Sequence, residues 1–139
     1  MAKKNLNSNA VKSQGSSSGK RILIIEDDRF LRELIGRKLS DEGFVIIEAV
    51  DGEQGIKKVK EKKPDLVLLD LILPSIDGFE VLSQIKKEES LKSIPIIILS
   101  NLGQKEEVEK GLKLGAVDYL IKAHFTPGEI IEKIKNNLK

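Results

Sequence analysis

At 139 residues the chain has room for one domain around a single hydrophobic core. It has no cysteine, which excludes disulfides, a thiolate metal site and a cysteine nucleophile. Its net charge of +2 is uneven: residues 1–21 hold five basic residues and no acid, and the other 19 basic and 22 acidic residues leave the rest at −3. A mildly acidic folded part argues against direct binding of nucleic acid. No apolar run approaches the roughly 20 residues that span a bilayer. No apolar segment follows the N-terminal lysines to make a secretory signal. A cytoplasmic protein without membrane insertion is expected.

Residues 1–20 are polar, rich in Ser, Asn, Lys and Gly, and lack apolar periodicity. Gln14-Gly15-Ser16-Ser17-Ser18-Gly19 has the composition of a linker, so a disordered tail or linker is expected there, and one domain over 21–139. Ile22-Leu23-Ile24-Ile25 is a β-branched run ending in Glu26-Asp27-Asp28 and reads as the first strand. Phe30, Leu31, Leu34, Ile35 and Leu39 recur at helical spacing and share a face, and Gly43 ends that helix. Phe44-Val45-Ile46-Ile47 is the second strand. The Asp51-Gly52 turn opens a Lys-rich helix marked by Ile56 and Val59, which Pro64 closes.

Leu66-Val67-Leu68-Leu69 then runs unbroken into Asp70, as suits a strand buried on both faces. Gly78 opens the third helix, with Phe79, Leu82 and Ile85 inward. Pro95-Ile96-Ile97-Ile98-Leu99-Ser100 is the fourth strand, with proline tolerated at its first position. A fourth helix over 106–114 is ended by Gly115, and Val117-Asp118-Tyr119-Leu120-Ile121-Lys122 is the fifth strand. Pro127 starts the last helix, with Ile130, Ile131, Ile134 and Leu138 on one face. Five strands and five helices in strict alternation imply an α/β fold, a parallel sheet with helices on both faces.

In a parallel sheet every strand delivers its carboxyl end to the same rim, where open α/β sheets place their ligands. Here that rim gathers Glu26-Asp27-Asp28, Asp70, Ser100 and Lys122. Clustered carboxylates repel, and one is expected to hold a proton unless a cation intervenes. Oxygen ligands without His or Cys suit Mg²⁺, with Mn²⁺ as a substitute. Lys122 adds a fixed positive charge and Ser100 a hydroxyl. A carboxylate, a hard cation, a lysine and a hydroxyl together suit a phosphoryl group, with Asp70 as nucleophile forming an acyl phosphate.

Four stretches carry a resemblance: Ile22-Leu23-Ile24-Ile25-Glu26-Asp27-Asp28, Asp70-Leu71-Ile72-Leu73-Pro74-Ser75-Ile76-Asp77-Gly78, Ile97-Ile98-Leu99-Ser100 and Gly115-Ala116-Val117-Asp118-Tyr119-Leu120-Ile121-Lys122. In this order and spacing the chain resembles the CheY-like receiver domains of two-component response regulators, over about residues 21–138. The resemblance implies a flavodoxin-like, doubly wound sheet of order 2-1-3-4-5 in a three-layer α/β/α arrangement. It implies that Asp70 is the phosphoacceptor, becoming 4-aspartylphosphate. Asp27 matches the direct Mg²⁺ ligand, Glu26 the acid that holds the ion largely through water, and the Ile72 backbone carbonyl the third protein ligand. Ser100 matches the switch hydroxyl, Lys122 the phosphate-pairing lysine and Tyr119 the aromatic switch. The implied partners are a sensor histidine kinase or histidine phosphotransfer protein, and a downstream protein bound by the fourth helix, fifth strand and last helix. The implied molecule is a signalling receiver, not an enzyme in the usual sense, since it catalyses only its own phosphorylation and dephosphorylation. It is expected as a monomer or as a dimer formed on phosphorylation.

Some positions depart from the family pattern. Ala123 follows Lys122 where proline is usual. A cis bond before alanine costs about 2.5–4 kcal/mol, so either the site stores strain or Lys122 is held by a trans route. Asn101 follows Ser100 where a small residue is usual, which narrows access to Asp70. Ile72 and Leu102, two residues beyond Asp70 and Ser100, are apolar and cannot hydrogen-bond an attacking water, which points to slow loss of the phosphoryl group. Asp28 reads equally as a helix cap. His124, the one histidine, reads as a loop residue, and the Lys57–Lys63 run as a solvated helix face. A phosphohydrolase of the haloacid-dehalogenase type needs a second Asp where Ile72 stands, and a dinucleotide site needs a Gly-x-Gly-x-x-Gly that is absent after the first strand. The alternative is a phosphate-independent, receiver-like interaction module.

Overall fold

Alternate residues of a strand face opposite sides of its sheet, and this chain uses both sides for core. The computed structural model describes residues 19–138. The strands are β1 (Arg21–Ile25), β2 (Val45–Ala49), β3 (Leu66–Leu69), β4 (Ile96–Ser100) and β5 (Asp118–Ile121). Between and after them come α1 (Arg29–Asp41), α2 (Gly52–Lys62), α3 (Gly78–Lys87), α4 (Lys105–Lys113) and α5 (Pro127–Asn136). All pairings are parallel, in the order β2-β1-β3-β4-β5. This is the flavodoxin-like order that the resemblance implied. Leu23, Ile25, Val67, Leu69, Ile96 and Ile98 form one core with Val59, Val81, Leu82 and Ile85, from α2 and α3. Ile22, Ile24, Leu66, Leu68, Ile97 and Leu99 form the other with Ile35, Leu39, Ile130, Ile131 and Ile134, from α1 and α5. Each fully buried Leu or Ile contributes about 1.5–3 kcal/mol. The double core, not the polar rim, therefore holds the fold together.

The helices start where side chains satisfy their first amides. Asp28, Asp51 and Asp77 accept from Leu31, Gln54 and Glu80 at 3.1, 2.8 and 3.2 Å and cap α1, α2 and α3. Thr126 and Glu129 bond reciprocally at the start of α5, with Pro127 in the first turn. Asp28 is thus a cap. Lys63 closes α2 in the left-handed region (φ 44°), just before Pro64. No helix among the described residues is long and apolar enough to cross a membrane.

Several expectations need correction. Residues 1–18 of the expected tail lie outside the described residues, but the Gly19 amide donates to the Gly43 carbonyl (3.3 Å) and the Lys20 carbonyl accepts from Val45 (2.8 Å). Pairing therefore begins two residues before the expected boundary at 21. Phe30 is not on the buried face of α1: it is 76% exposed, whereas Ile35, Gly36 and Leu39 are buried with Arg32. Phe30 belongs to the first turn, and helical spacing alone does not show which residues of that turn have core beneath them. Phe44 is buried but lies outside β2, because its amide bonds to the Leu39 carbonyl at the end of α1. Phe79 packs against the core as expected but is only half-buried, with the Lys110 ammonium 4.3 Å from its ring centroid. Lys122 falls beyond β5, in a single 3₁₀ turn over Lys122–His124. The Lys122–Ala123 peptide is trans, so the lysine is held without the cis bond.

Two glycines make opposite predictions. A Cβ on Gly78 would lie 2.4 Å from the Asp70 carbonyl oxygen and 2.5 Å from the Leu71 Cα, both backbone atoms. Gly78→Ala is expected to cost about 3 kcal/mol in urea unfolding. A Cβ on Gly36 meets nothing closer than 3.5 Å. Gly36→Ala is expected to be neutral or stabilising by up to about 1 kcal/mol through helix propensity. Equal stability of the two variants would refute this account of the loop behind Asp70.

Candidate functional site

Three strand ends and the turn after β5 build the rim. The Asp70 amide continues the β3 ladder by donating to the Ile25 carbonyl at 3.0 Å, which seats Asp70 next to the end of β1. There Glu26 turns inward: Glu26 and Asp70 are only 3% and 5% exposed, whereas Asp27 is exposed. One carboxylate oxygen from each of these three acids lies within 4.8 Å of the others. Lys122 reaches the pair from the far side. Its Nζ lies 2.9 Å from Glu26 Oε1 and 2.9 Å from Asp70 Oδ2. The other Asp70 oxygen accepts from the Leu71 amide (2.7 Å) and the Ile72 amide (3.3 Å).

The electrostatics follow from burial. Desolvation raises the Glu26 carboxyl to about 7, with the Asp70 charge adding to it and Lys122 opposing it. Burial also works against the charge on Lys122, but its hydrogen bonds to Glu26 and Asp70 outweigh this and hold it above the ordinary lysine value. The ammonium is therefore a fixed positive charge between two acids.

Ser100 is wholly buried at the end of β4, and its hydroxyl oxygen accepts from the Leu102 amide at 3.3 Å. Among the described residues it has no hydrogen bond to Asp70. Tyr119 donates its hydroxyl to the Leu102 carbonyl. Burial, then the charges of Glu107 and Asp70, push that hydroxyl up to about 12, so it stays a donor. The ring occupies space that a side chain on Gly111 of α4 would need, since a Cβ there would lie 3.0 Å from Tyr119 Cδ2. Ile72 is 57% exposed beside the rim and Leu102 is half-buried. His124 and most of the Lys57–Lys63 run are exposed.

The sequence reading did not single out Arg32. Its side chain is buried on the inner face of α1, donating through Nη1 to the Glu26 carbonyl (2.9 Å) and through Nε to Glu48 Oε1 (2.9 Å). A signal was present: Arg32 sits three, four and seven residues before Ile35, Gly36 and Leu39, on the one face that has to be buried. Nor did the reading foresee that Lys122 pairs with Glu26 as well as with Asp70.

The model of the response regulator receiver domain matches residues 22–135. The phosphate regulon transcriptional regulatory protein PhoB of Escherichia coli (strain K12) is 36% identical over 116 residues, which cover 84% of this chain and 50% of PhoB. Among solved structures, the CheY-like response regulator receiver domain protein from Methanospirillum hungatei JF-1 has a TM-score of 0.81 at 30% identity, covering 87% of this chain and 94% of that one. The BeF3-activated N-terminal receiver domain of Klebsiella pneumoniae RstA has a TM-score of 0.79 at 27% identity, covering 86% and 99%. The chain spans about half the length of the curated relatives it matches. Fold, rim and relatives agree: the chain belongs to the response regulator receiver domain family and is a signalling receiver of the two-component type.

Proposed function

We propose that Asp70 is the residue this receiver phosphorylates, and that the donor is a phosphohistidine on a sensor histidine kinase or a histidine phosphotransfer protein. The observation that carries the reading is the buried Asp70 at the end of β3, with the Lys122 ammonium 2.9 Å from one of its oxygens. An Asp70 oxygen attacks phosphorus, and the P–N bond breaks. Its electron pair returns to the imidazole, which takes up a proton. A mixed carboxylic–phosphoric anhydride remains on Asp70. Phosphoryl transfer needs chiefly positioning and charge neutralisation, and the chain catalyses on itself alone both this step and the later attack of water on the anhydride, which frees the Asp70 carboxylate and releases inorganic phosphate. Lys122 and the Ser100 hydroxyl bind phosphoryl oxygens. Tyr119 follows the loop after β4, and the surface of α4, β5 and α5 meets the downstream protein. The reaction takes place in the cytoplasm, and the domain does not itself contact nucleic acid.

The rim fits a hard divalent cation, Mg²⁺ or Mn²⁺. Its donors are all oxygens, they converge within 4.8 Å, and the buried Glu26 holds its proton unusually tightly because negative charge there lacks solvation. Asp27, Asp70 and the Ile72 carbonyl would hold the ion, with Glu26 acting largely through water. When bound, the cation supplies the positive charge that lets phosphoryl oxygens approach an acidic rim.

Incubation with acetyl phosphate and MgCl2, followed by intact-mass spectrometry, tests the reading. One phosphoryl group is expected on the wild type, and none on Asp70→Asn or in the presence of chelator. A folded wild type that stays unmodified would refute it and leave the phosphate-independent module.

The decay of the adduct carries a second prediction. Ile72 and Leu102 offer no hydrogen bond to an attacking water, so the phosphorylated state is expected to be long-lived. Ile72→Asn should speed its loss about tenfold, equivalent to roughly 1.4 kcal/mol of barrier. A wild-type half-life of a few seconds would contradict this.

The raised Glu26 carboxyl gives a pH dependence with a definite sign. Below about 7 the cation has to displace a proton from Glu26, and above it does not. Mg²⁺ affinity should therefore rise with pH through this range and then level off. Calorimetry in two buffers of different ionisation enthalpy should detect a released proton at about pH 6 and none at about pH 8. The same affinity and proton release at both would count against a role for Glu26.

A further inference from the structure

The turn between β1 and α1 is tied down around Asp27. The Glu26 amide donates to the Ala49 carbonyl of β2 (3.0 Å), and Glu26 Oε2 accepts from the Asp28 amide (3.0 Å). The Asp28 carbonyl accepts from the Arg32 amide (3.0 Å), and its carboxylate caps Leu31 (3.1 Å). The remaining tie is the Arg32 side chain, which joins the Glu26 carbonyl to Glu48 at 2.9 Å each. Glu48 is itself anchored, since its own carbonyl accepts from Lys58 Nζ at 3.1 Å.

A guanidinium on the inner face of a helix carries a desolvation cost that a leucine there would avoid. Its value lies in geometry. The Nε and Nη donors form a rigid planar fork, so the Glu26 carbonyl is fixed relative to the end of β2. That carbonyl belongs to the Glu26–Asp27 peptide. Fixing the peptide plane fixes the direction in which Asp27 leaves the backbone. Asp27 is exposed, yet its carboxylate lies within 4.8 Å of the Glu26 and Asp70 oxygens.

We propose that Arg32 is a positioning residue for the cation site: by clamping the Glu26 carbonyl to Glu48, it holds the Asp27 carboxylate facing Glu26 and Asp70. This rests on the Mg²⁺ reading given above. Partners of this kind around metal ligands typically change affinity by about 10–100-fold when removed.

Titration calorimetry with MgCl2 on the full chain tests the clamp, alongside urea unfolding in chelator. Arg32→Met keeps most of the packing and removes both donors; its Mg²⁺ Kd should rise about tenfold or more. Arg32→Lys keeps the charge but cannot serve both acceptors as a fork, and should fall between Met and wild type. Glu48→Ala frees one end of the clamp and should weaken binding several-fold. The double variant Arg32→Met/Glu48→Ala should be no weaker than Arg32→Met alone, because the two act as one unit. A merely structural Arg32 would lower the unfolding midpoint and leave the Kd of the folded protein unchanged. Unchanged Kd in Arg32→Lys and Glu48→Ala, which keep the test open if Arg32→Met does not fold, would overturn the clamp. Asp27→Asn separates the two levels. If it binds Mg²⁺ like the wild type, the metal reading fails. If it loses binding while the Arg32 and Glu48 variants do not, only the clamp fails.

Discussion

Two carboxylates buried side by side are the constraint on which the site depends. Glu26 and Asp70 end neighbouring strands, almost out of solvent, and one ammonium lies 2.9 Å from each. Like charges about 4 Å apart repel by about 4 kcal/mol at an effective dielectric of about 20. Two things relieve this repulsion: the Lys122 ammonium, and the proton that the buried Glu26 keeps up to about 7. Lys122 comes from beyond β5, with β4 between β5 and β3. It reaches the pair from a 3₁₀ turn whose peptide to Ala123 is trans. The usual proline is thus not needed to aim this lysine.

Beside the acids, on the same rim, the loop after β4 links Ser100 to Tyr119. Leu102 is the joint. Its amide donates to the Ser100 hydroxyl, and its carbonyl accepts from the Tyr119 hydroxyl. The Tyr119 ring fills the space left by Gly111 on α4. On the proposed reading, a Ser100 hydroxyl that turns to bind a phosphoryl oxygen gives up the Leu102 amide, and the peptide on which Tyr119 depends is then less fixed. Packed interiors favour discrete rearrangement over smooth deformation, so this short run of contacts suits a switch better than a graded response.

The layers and element types were legible because three of the strands are short, unbroken apolar runs buried on both faces, while the helices carry their apolar residues at helical spacing. The strand order was legible only through the resemblance, since alternation fixes a parallel sheet without ranking its strands. The acids, Ser100 and Lys122 were legible because strand ends converge by topology. Three things were not. Phe30 has helical spacing, but in the first turn of α1 it is Leu31, not Phe30, that reaches the core. Arg32 is hidden because a charged residue in a helix is ordinarily taken to face solvent. The pairing of Lys122 with Glu26 depends on side-chain reach across the sheet, which spacing along the chain does not encode.

The two loops that flank the rim are held very differently, and this decides which one can move. On the acceptor side, the Gly78 amide donates to the Leu71 carbonyl (2.9 Å), the Gly52 amide to the Pro74 carbonyl (3.2 Å), and the Glu53 amide to Ser75 Oγ (3.2 Å). Ser75 is even kept at φ 68°, a left-handed conformation that costs a residue with a side chain roughly 1–2 kcal/mol. A loop that holds such a residue is over-determined by its surroundings, and Asp70 is pre-positioned by it. Across the rim, residues 101–103 are joined to the rest, among the described residues, mainly through the two bonds at Leu102. If Asp70 is the acceptor, as proposed above, it sits in a well-tied loop, whereas residues 101–103 across the rim are held by the two bonds at Leu102 and by the packing of Leu102 on the core, which favours a response on the β4–α4 side.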